Sequence, residues 1–382
     1  MTVSDRNRGW LRAAMLAVAL FALPAGAEER ARPFYLGADL SFANEMEDCG
    51  VQYRDGGKVE DVFSIFRAHG ATLVRVRLWN DARWTRYSDL SDVKKTVRRA
   101  RAQGMQVLLD LHYSDDWADG DKQHIPKAWA DIAGTDDLAR TLYNFTYDTL
   151  MALDREGLMP ELVQVGNETN PELMSSRVWD KQKDRIDWTR NAALFNAGIR
   201  AVHDAGARSK IQPRVMLHIA QPENVEPWFA AADRAGVRGF DLIGISYYRK
   251  WSTQTMAQLG QTIARLRKTY PDRDVVVVET AYPWTLEAGD ESHNLLGEDS
   301  LIPGYPATPD GQLRYLTDLT QLVADNDGSG VVYWAPEWTT SRCKTRWGTG
   351  SSWENATFFD FRHGNALLPG VDFMRHDYRL PR

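Results

Sequence analysis

The 382-residue sequence holds only two cysteines, Cys49 and Cys343, so neither a disulfide-dense scaffold nor a cysteine metal cluster is open to it. It lacks HExxH, GxxxxGK[ST] and GxGxxG, the short patterns that hold a catalytic zinc, a triphosphate or a dinucleotide, so nothing points to a catalytic metal or a nucleotide. There is no run of Lys or Arg. With a formal charge of -6 and a pI of about 5.8, the chain carries no electrostatic footprint for nucleic acid or an anionic membrane surface. Stretches rich in Pro, Gly or Ser that would mark a linker are absent, as are sequence repeats and breaks in composition, which argues for one folded domain. Long apolar runs are missing too. The longest, "AAMLAVALFALPA" at residues 13–25, is short for a bilayer span.

That run makes sense as a secretory signal. Arg6, Arg8 and Arg12 form a basic region before it, and Ala25-Gly26-Ala27 is a small-residue cleavage site, so residues 1–27 read as a signal peptide cut before Glu28. No cysteine follows the cut to carry a lipid. Export, to a periplasm or to the medium, places both cysteines in an oxidising compartment where a disulfide is permitted. Residues 28–382 then form one globular domain, for which 43% hydrophobic and 26% charged residues are ordinary. Tryptophan is not ordinary: 14 of them cluster near the starts of loops, where flat faces bordered by polar groups suit sugar rings.

Eight short apolar runs alternate with amphipathic stretches. The runs begin at Phe34, Leu73, Gln106, Glu161, Arg214, Asp241, Asp274 and Gly330. The stretches between are Val59 to His69, Ser91 to Gln103, Asp136 to Arg155, Trp188 to Ala205, Glu223 to Ala235, Thr253 to Lys268 and Gln312 to Ala324. Such alternation implies a parallel sheet with helical crossovers, and the count of eight selects a (β/α)8 TIM barrel over an open sheet. Long irregular segments follow the first, third, seventh and eighth runs, on the rim where barrel active sites lie. The cysteines fall in the loops after runs one and eight, neighbours once a barrel closes, so a Cys49–Cys343 bridge is expected despite its sequence span.

The runs also end in polar or aromatic residues that such a barrel would gather at its mouth: Asp39, Arg77, Asp110, His112, Asn167, Glu168, His218, Tyr247, Glu279 and Trp334. Each alone has an ordinary structural reading, as a buried pair, a satisfied histidine or packing. Two stand out, because Glu168 and Glu279 follow buried-looking strands directly. Glycosidic hydrolysis needs a carboxylic acid to protonate the leaving oxygen and a carboxylate on the other side of the ring, about 5 Å away in a retaining enzyme.

These residues carry a resemblance. "GADLSFANEME", "VRVRLWND", "LLDLHYSDDWAD", "QVGNETN", "DLIGISYY", "VVVETAYPW" and "WGTGSSWENATFFDF" together resemble glycoside hydrolase family 53, the endo-β-1,4-galactanases of clan A, over residues 34 to 372. The resemblance implies Glu168 as acid/base and Glu279 as nucleophile, with Asn167 on the sugar 2-hydroxyl. It further implies that Arg77 and Tyr247 hold Glu279 ionised, that Trp334 floors the cleavage subsite, and that His112 and His218 line it. Asp39, Asp115, Trp117 and Trp347 would bind further sugars in the groove. The substrate implied is β-1,4-galactan or arabinogalactan, acted on by a monomer that needs no cofactor. A clan A hydrolase of mannan, xylan or cellulose, or a non-catalytic carbohydrate-binding barrel, stands as the alternative.

The chain departs from the family in two places. "YWAPEW" stands where relatives often read "YWEPAW", moving an acid to Glu337. The seventh loop, "LEAGDESHNLL", is loosely similar to a calcium-binding loop of some relatives. There Asp290, His293 and Asn294 would be calcium ligands or a solvated loop, a hard cation requiring roughly six to eight oxygens.

Overall fold

The inward-facing residues of the second strand, Leu73, Arg75 and Arg77, go from apolar to cationic toward the C-terminal end, and the whole barrel interior follows that gradient. The computed structural model describes residues 32–175, 179–180 and 183–380; the expected signal peptide lies outside them. Pro33–Arg382 cluster as one compact unit. Its barrel strands are β1 (Tyr35–Asp39), β2 (Leu73–Leu78), β3 (Gln106–Leu111), β4 (Leu162–Val165), β5 (Arg214–Ala220), β6 (Leu242–Ser246), β7 (Asp274–Glu279) and β8 (Gly330–Trp334). Each pairs in parallel with its chain neighbour, and β8 pairs with β1 to close the barrel.

Alternation sorts the side chains. One set, including Tyr35, Leu73, Leu108, Leu162, Met216, Leu242, Val276 and Val332, packs as a separate apolar cluster that fills the barrel. The opposite set, such as Val74, Val76, Leu109, Val163, Leu217 and Val275, joins the larger cluster under the helices. Those helices are α1 (Ala43–Asp48), α2 (Val62–Ala68), α3 (Leu90–Ala102), α4 (Thr135–Asp154), α5 (Trp188–Gly206), α6 (Pro222–Arg234), α7 (Met256–Thr269) and α8 (Pro309–Asp325). Five of their starts are capped: Asp61, Asp89, Asp187, Thr255 and Thr308 each accept backbone N–H groups of the first turn. None of the helices among the described residues is long and apolar enough to cross a membrane.

Two local differences from expectation have clear causes. The helix expected from Val59 begins at Val62, because Asp55-Gly56-Gly57-Lys58 makes a tight hairpin that pairs Lys58–Glu60 with Tyr53–Asp55. Both glycines have positive φ, 54° and 82°, as such a two-residue turn demands. The short helix α1 in the first loop was not expected. It ends at Cys49, whose Cα lies 5.5 Å from that of Cys343, and the two form the expected disulfide between the loops after β1 and β8.

The register of β6 on β7 slips between Ile245↔Val277 and Ser246↔Glu279. A bulge re-aims a side chain. Here it sets Glu279 level with Ser246 at the barrel mouth.

Candidate active site

Above the apolar filling sits a buried polar layer organised by Arg75. Its Nη1 contacts Asp39 Oδ2 at 2.9 Å and Glu279 Oε1 at 2.8 Å, and its Nη2 contacts Asp110 Oδ2 at 2.8 Å and Asn167 Oδ1 at 2.7 Å. Nε donates to Gln164 Oε1 at 3.2 Å, so all three guanidinium nitrogens are engaged. Burial opposes the Arg75 charge, but the carboxylates of Asp110, Glu279 and Asp39 outweigh it and hold the arginine firmly protonated. Burial also acts against the Asp110 carboxylate, yet Arg75 and His112 keep it below the usual range.

Glu168 reaches this layer through a strained turn. After β4 the chain passes through Gly166 at φ 84° and Glu168 itself at φ 44°, a conformation that non-glycine residues seldom adopt. The turn brings a carboxylate oxygen of Glu168 within 4.8 Å of one of Glu279. Glu168 Oε1 accepts from Ser246 Oγ at 2.5 Å and Oε2 from Gly120 N–H at 3.2 Å. Burial pushes its carboxyl up to about 7, the Asp119 charge adding to that while the Ser246 and Gly120 bonds partly offset it.

Burial pushes the Glu279 carboxyl well up too, with Arg75 pulling it down and the charges of Glu168, Asp110 and Asp39 pushing up again. Only Glu279 of the two has a cation at bonding distance, along with the Tyr248 hydroxyl at 3.2 Å from its Oε2. The first proton to leave the pair therefore comes from Glu279, and Glu168 retains its own.

Asn167 is held with its amide fixed. Oδ1 accepts from Arg75 and from Gln164 Nε2, while Nδ2 donates one hydrogen to Ala118 O at 2.8 Å and keeps the other free at the cavity wall. The cavity has a volume of about 1140 Å³ and is walled by aromatic rings, among them Trp117, Trp251, Trp334, Trp338, Trp347 and Trp353. Trp334 stands edge-on to Trp353 at 4.7 Å, and Trp347 sits half-exposed at the turn of a small hairpin, edge-on to Trp84 at 4.8 Å.

Several expected roles need correction. Arg77 does not hold Glu279. Its guanidinium carbon lies 4.5, 4.6 and 4.3 Å from the ring centroids of Phe42, Trp79 and Trp117, and its Nε donates to Ser88, so it braces the aromatic wall. Tyr247 does not reach Glu279 either. By strand alternation it points out of the barrel, its hydroxyl on Gln254 O at 3.2 Å, and the next residue, Tyr248, points in. Asp115 lies outside the cavity lining and staples loops by accepting the N–H groups of Asp81 and Lys127. Asp39 is at the cavity floor but buried against Arg75. His112 lines the cavity, whereas His218 is fully buried behind Asn167 and Glu168.

The calcium set does not form an oxygen cage. Asp290 spends its carboxylate on the N–H groups of Ser292, Ser341 and Ser351, Asn294 bonds backbone at Glu287 and Asn355, and His293 lines the cavity. Glu337 is fully buried, its Oε1 accepting from Phe42 N–H at 2.9 Å and its Oε2 meeting no partner. Burial and the Asp39 charge push that acid, behind the Phe42–Trp338 stack, well up. Residues missed from sequence were Arg75, Gln164, Ser246 and Tyr248; the inward parity of Asp39, Asp110 and His218 marks their faces but not their depth.

Comparison with known proteins is consistent across sequence and structure. A family model described as glycosyl hydrolase family 53 matches residues 35–374. The chain is 53% identical to an arabinogalactan endo-beta-1,4-galactanase of Cellvibrio japonicus (strain Ueda107) over 91% of this chain and 92% of that one. It is 34% identical to an endo-beta-1,4-galactanase of Bacillus subtilis (strain 168), over 85% of this chain and 77% of the relative. Among solved structures, an Ignisphaera aggregans GH53 catalytic domain superposes with a TM-score of 0.81 at 31% identity, covering 91% of this chain and 96% of that one.

Proposed function

The chain belongs to glycosyl hydrolase family 53, and from that premise we propose that it is an endo-β-1,4-galactanase cleaving galactan and type I arabinogalactan with net retention. One observation carries the chemistry: two carboxylates within 4.8 Å across the barrel mouth, one paired to a buried cation and one pushed up to about 7. That spacing is near the roughly 5 Å of retaining enzymes and short of the roughly 6.5–9.5 Å at which inverting enzymes seat a water beside the sugar, so it suits direct attack on the anomeric carbon.

In the first step, protonated Glu168 donates to the departing glycosidic oxygen while ionised Glu279 attacks the anomeric carbon, giving a glycosyl-enzyme. In the second, Glu168, now a carboxylate, takes a proton from water, and that oxygen displaces Glu279. In this reading the spare Asn167 N–H donates to the sugar 2-hydroxyl and Trp334 floors the same subsite, which their positions on the cavity wall support. Burial explains why one carboxyl keeps its proton near neutral pH, and Arg75 why the other loses it first.

The axial C4 hydroxyl gives galactan a chain shape unlike that of cellulose or xylan, so a groove fitted to one follows the other poorly. The basic, apolar and small-residue order of residues 1–27 supports export, to the periplasm or beyond. The test is digestion of linear β-1,4-galactan with sizing of products and NMR of the first anomer formed. Comparable turnover of xylan, mannan or cellulose, or an inverted first product, would sink the proposal.

A further inference from the structure

Behind Glu168 lies a chain of hydrogen bonds that the two-carboxylate mechanism does not itself require. It rests on the assignment of Glu168 as the acid. His218, fully buried on β5, places Nε2 at 2.8 Å from Ser246 Oγ, and Ser246, fully buried at the end of β6, places Oγ at 2.5 Å from Glu168 Oε1.

The direction of the hydrogens in this chain turns on His218 Nδ1, which faces two donors and one acceptor. Glu168 backbone N–H points at His218 Nδ1 at 3.3 Å, and a backbone amide only donates. Gln164 Nε2 faces the same nitrogen at 3.1 Å, with its amide orientation set by Arg75 on its oxygen and Asp110 on its nitrogen. Asn167 Oδ1 also lies 3.0 Å from Nδ1, but that oxygen already accepts from Arg75 Nη2 and Gln164 Nε2, whereas the Glu168 amide has no other acceptor to turn to among the described residues. Nδ1 is therefore assigned as the acceptor and the imidazole proton to Nε2, where it donates to Ser246 Oγ. Protonation of both nitrogens is disfavoured by burial and by the Arg75 charge. The hydroxyl hydrogen of Ser246 is then left for Glu168 Oε1.

We propose that Ser246, backed by His218, is a positioning residue that occupies Oε1 with the closer of the two donors on this carboxyl, 2.5 Å against 3.2 Å for Gly120 N–H on Oε2, and so biases the acidic proton of Glu168 to Oε2, the oxygen facing the Gly120 loop at the cavity. The same bond favours the carboxylate form and keeps the acid from being too weak to give its proton up. The other groups acting on Glu168 are Asp119 from the loop after β3, Arg75 on β2, Glu279 on β7 and Tyr248 after β6, and none of them supplies a donor to Oε1.

Two measurements test this. In wild-type protein with 15N-labelled histidine, the His218 resonances should report the Nε2–H tautomer; an Nδ1–H tautomer would reverse the chain and overturn the proposal. In Ser246→Ala, Glu168 loses the donor that favours its ionised form. Its carboxyl 13C titration and the basic limb of kcat/KM on galactan should both move up by about one unit or more. An unchanged limb, or one that moves down, would refute it, since a merely structural loss lowers kcat without moving the limb. If Ser246→Ala does not fold, Ser246→Cys keeps the volume with a weaker donor and should give a smaller upward shift. The NMR titration needs no substrate, so a wrong substrate assignment leaves it intact, whereas failure of wild-type galactan cleavage would point to the functional reading instead.

Discussion

Replacing Arg75 by Lys keeps the charge and removes the fork. The guanidinium contacts Asp39, Asp110, Glu279, Asn167 and Gln164, whereas an ammonium offers three hydrogens, so at least two of these contacts must go. At about 1.5–3 kcal/mol for each hydrogen bond to a charged group, the variant should lose roughly 3–6 kcal/mol, divided between folding and catalysis. Urea unfolding gives the first share, and kcat/KM on galactan the second, about tenfold for each 1.4 kcal/mol. The pH profile carries a sign as well. Arg75 pulls the Glu279 carboxyl down and Glu279 must be ionised to attack, so weaker pairing moves the acidic limb of kcat/KM to higher pH. Arg77→Lys should instead loosen the aromatic wall and leave that limb in place, because Arg77 touches Phe42, Trp79 and Trp117 and not Glu279. An acidic limb that stays put in Arg75→Lys but moves in Arg77→Lys would refute the reasoning.

Glu168→Ala should be crippled on polysaccharide yet still form the glycosyl-enzyme from an activated aryl galactobioside, whose phenolate needs little protonation; azide should then release the β-azide. Glu279→Ala lacks the nucleophile, so any azide product should be α, and the reverse stereochemical pattern would exchange the two roles. Glu337→Gln should stabilise the fold increasingly as pH rises above the ordinary carboxyl range. The native acid is held protonated well above its unfolded value, so the native state binds more protons and loses stability with rising pH, a cost that the amide escapes. A Glu337→Gln advantage in urea unfolding that is flat or shrinks with pH would contradict this.

Much of this was legible in the residues. Buried β-branched runs such as "DVVVVE" mark strands, their number marks a closed barrel, and Glu168 and Glu279 stand out because an acid directly after such a run has a site to face. Depth was not legible. Arg75 and Arg77 share the inward face, and which of them meets Glu279 depends on how the strands stagger around the barrel, a property of eight strands together. Tyr247 and Tyr248 differ only in parity, and parity is lost where a strand ends. The position of Glu279 depends on a slipped register between Ile245 and Ser246, for which "GISYY" holds no glycine or proline at the slip itself. The hairpin at Gly56-Gly57 did carry a signal, a two-glycine turn, that the helical periodicity beginning at Val59 obscured.

The bridge from Cys49 to Cys343 encloses a sequence separation of 294 and spans the seam where the first strand meets the last. In the chain-entropy view, a ring that large removes roughly 5–6 kcal/mol of freedom from the unfolded polypeptide. It also changes what a protease can achieve. A single cut in any loop between residues 49 and 343 leaves one covalent molecule, whose two pieces cannot drift apart and whose barrel re-forms by a first-order collapse. Once the bridge is reduced, the same cut yields two fragments that must find each other by diffusion, so recovery becomes dependent on concentration.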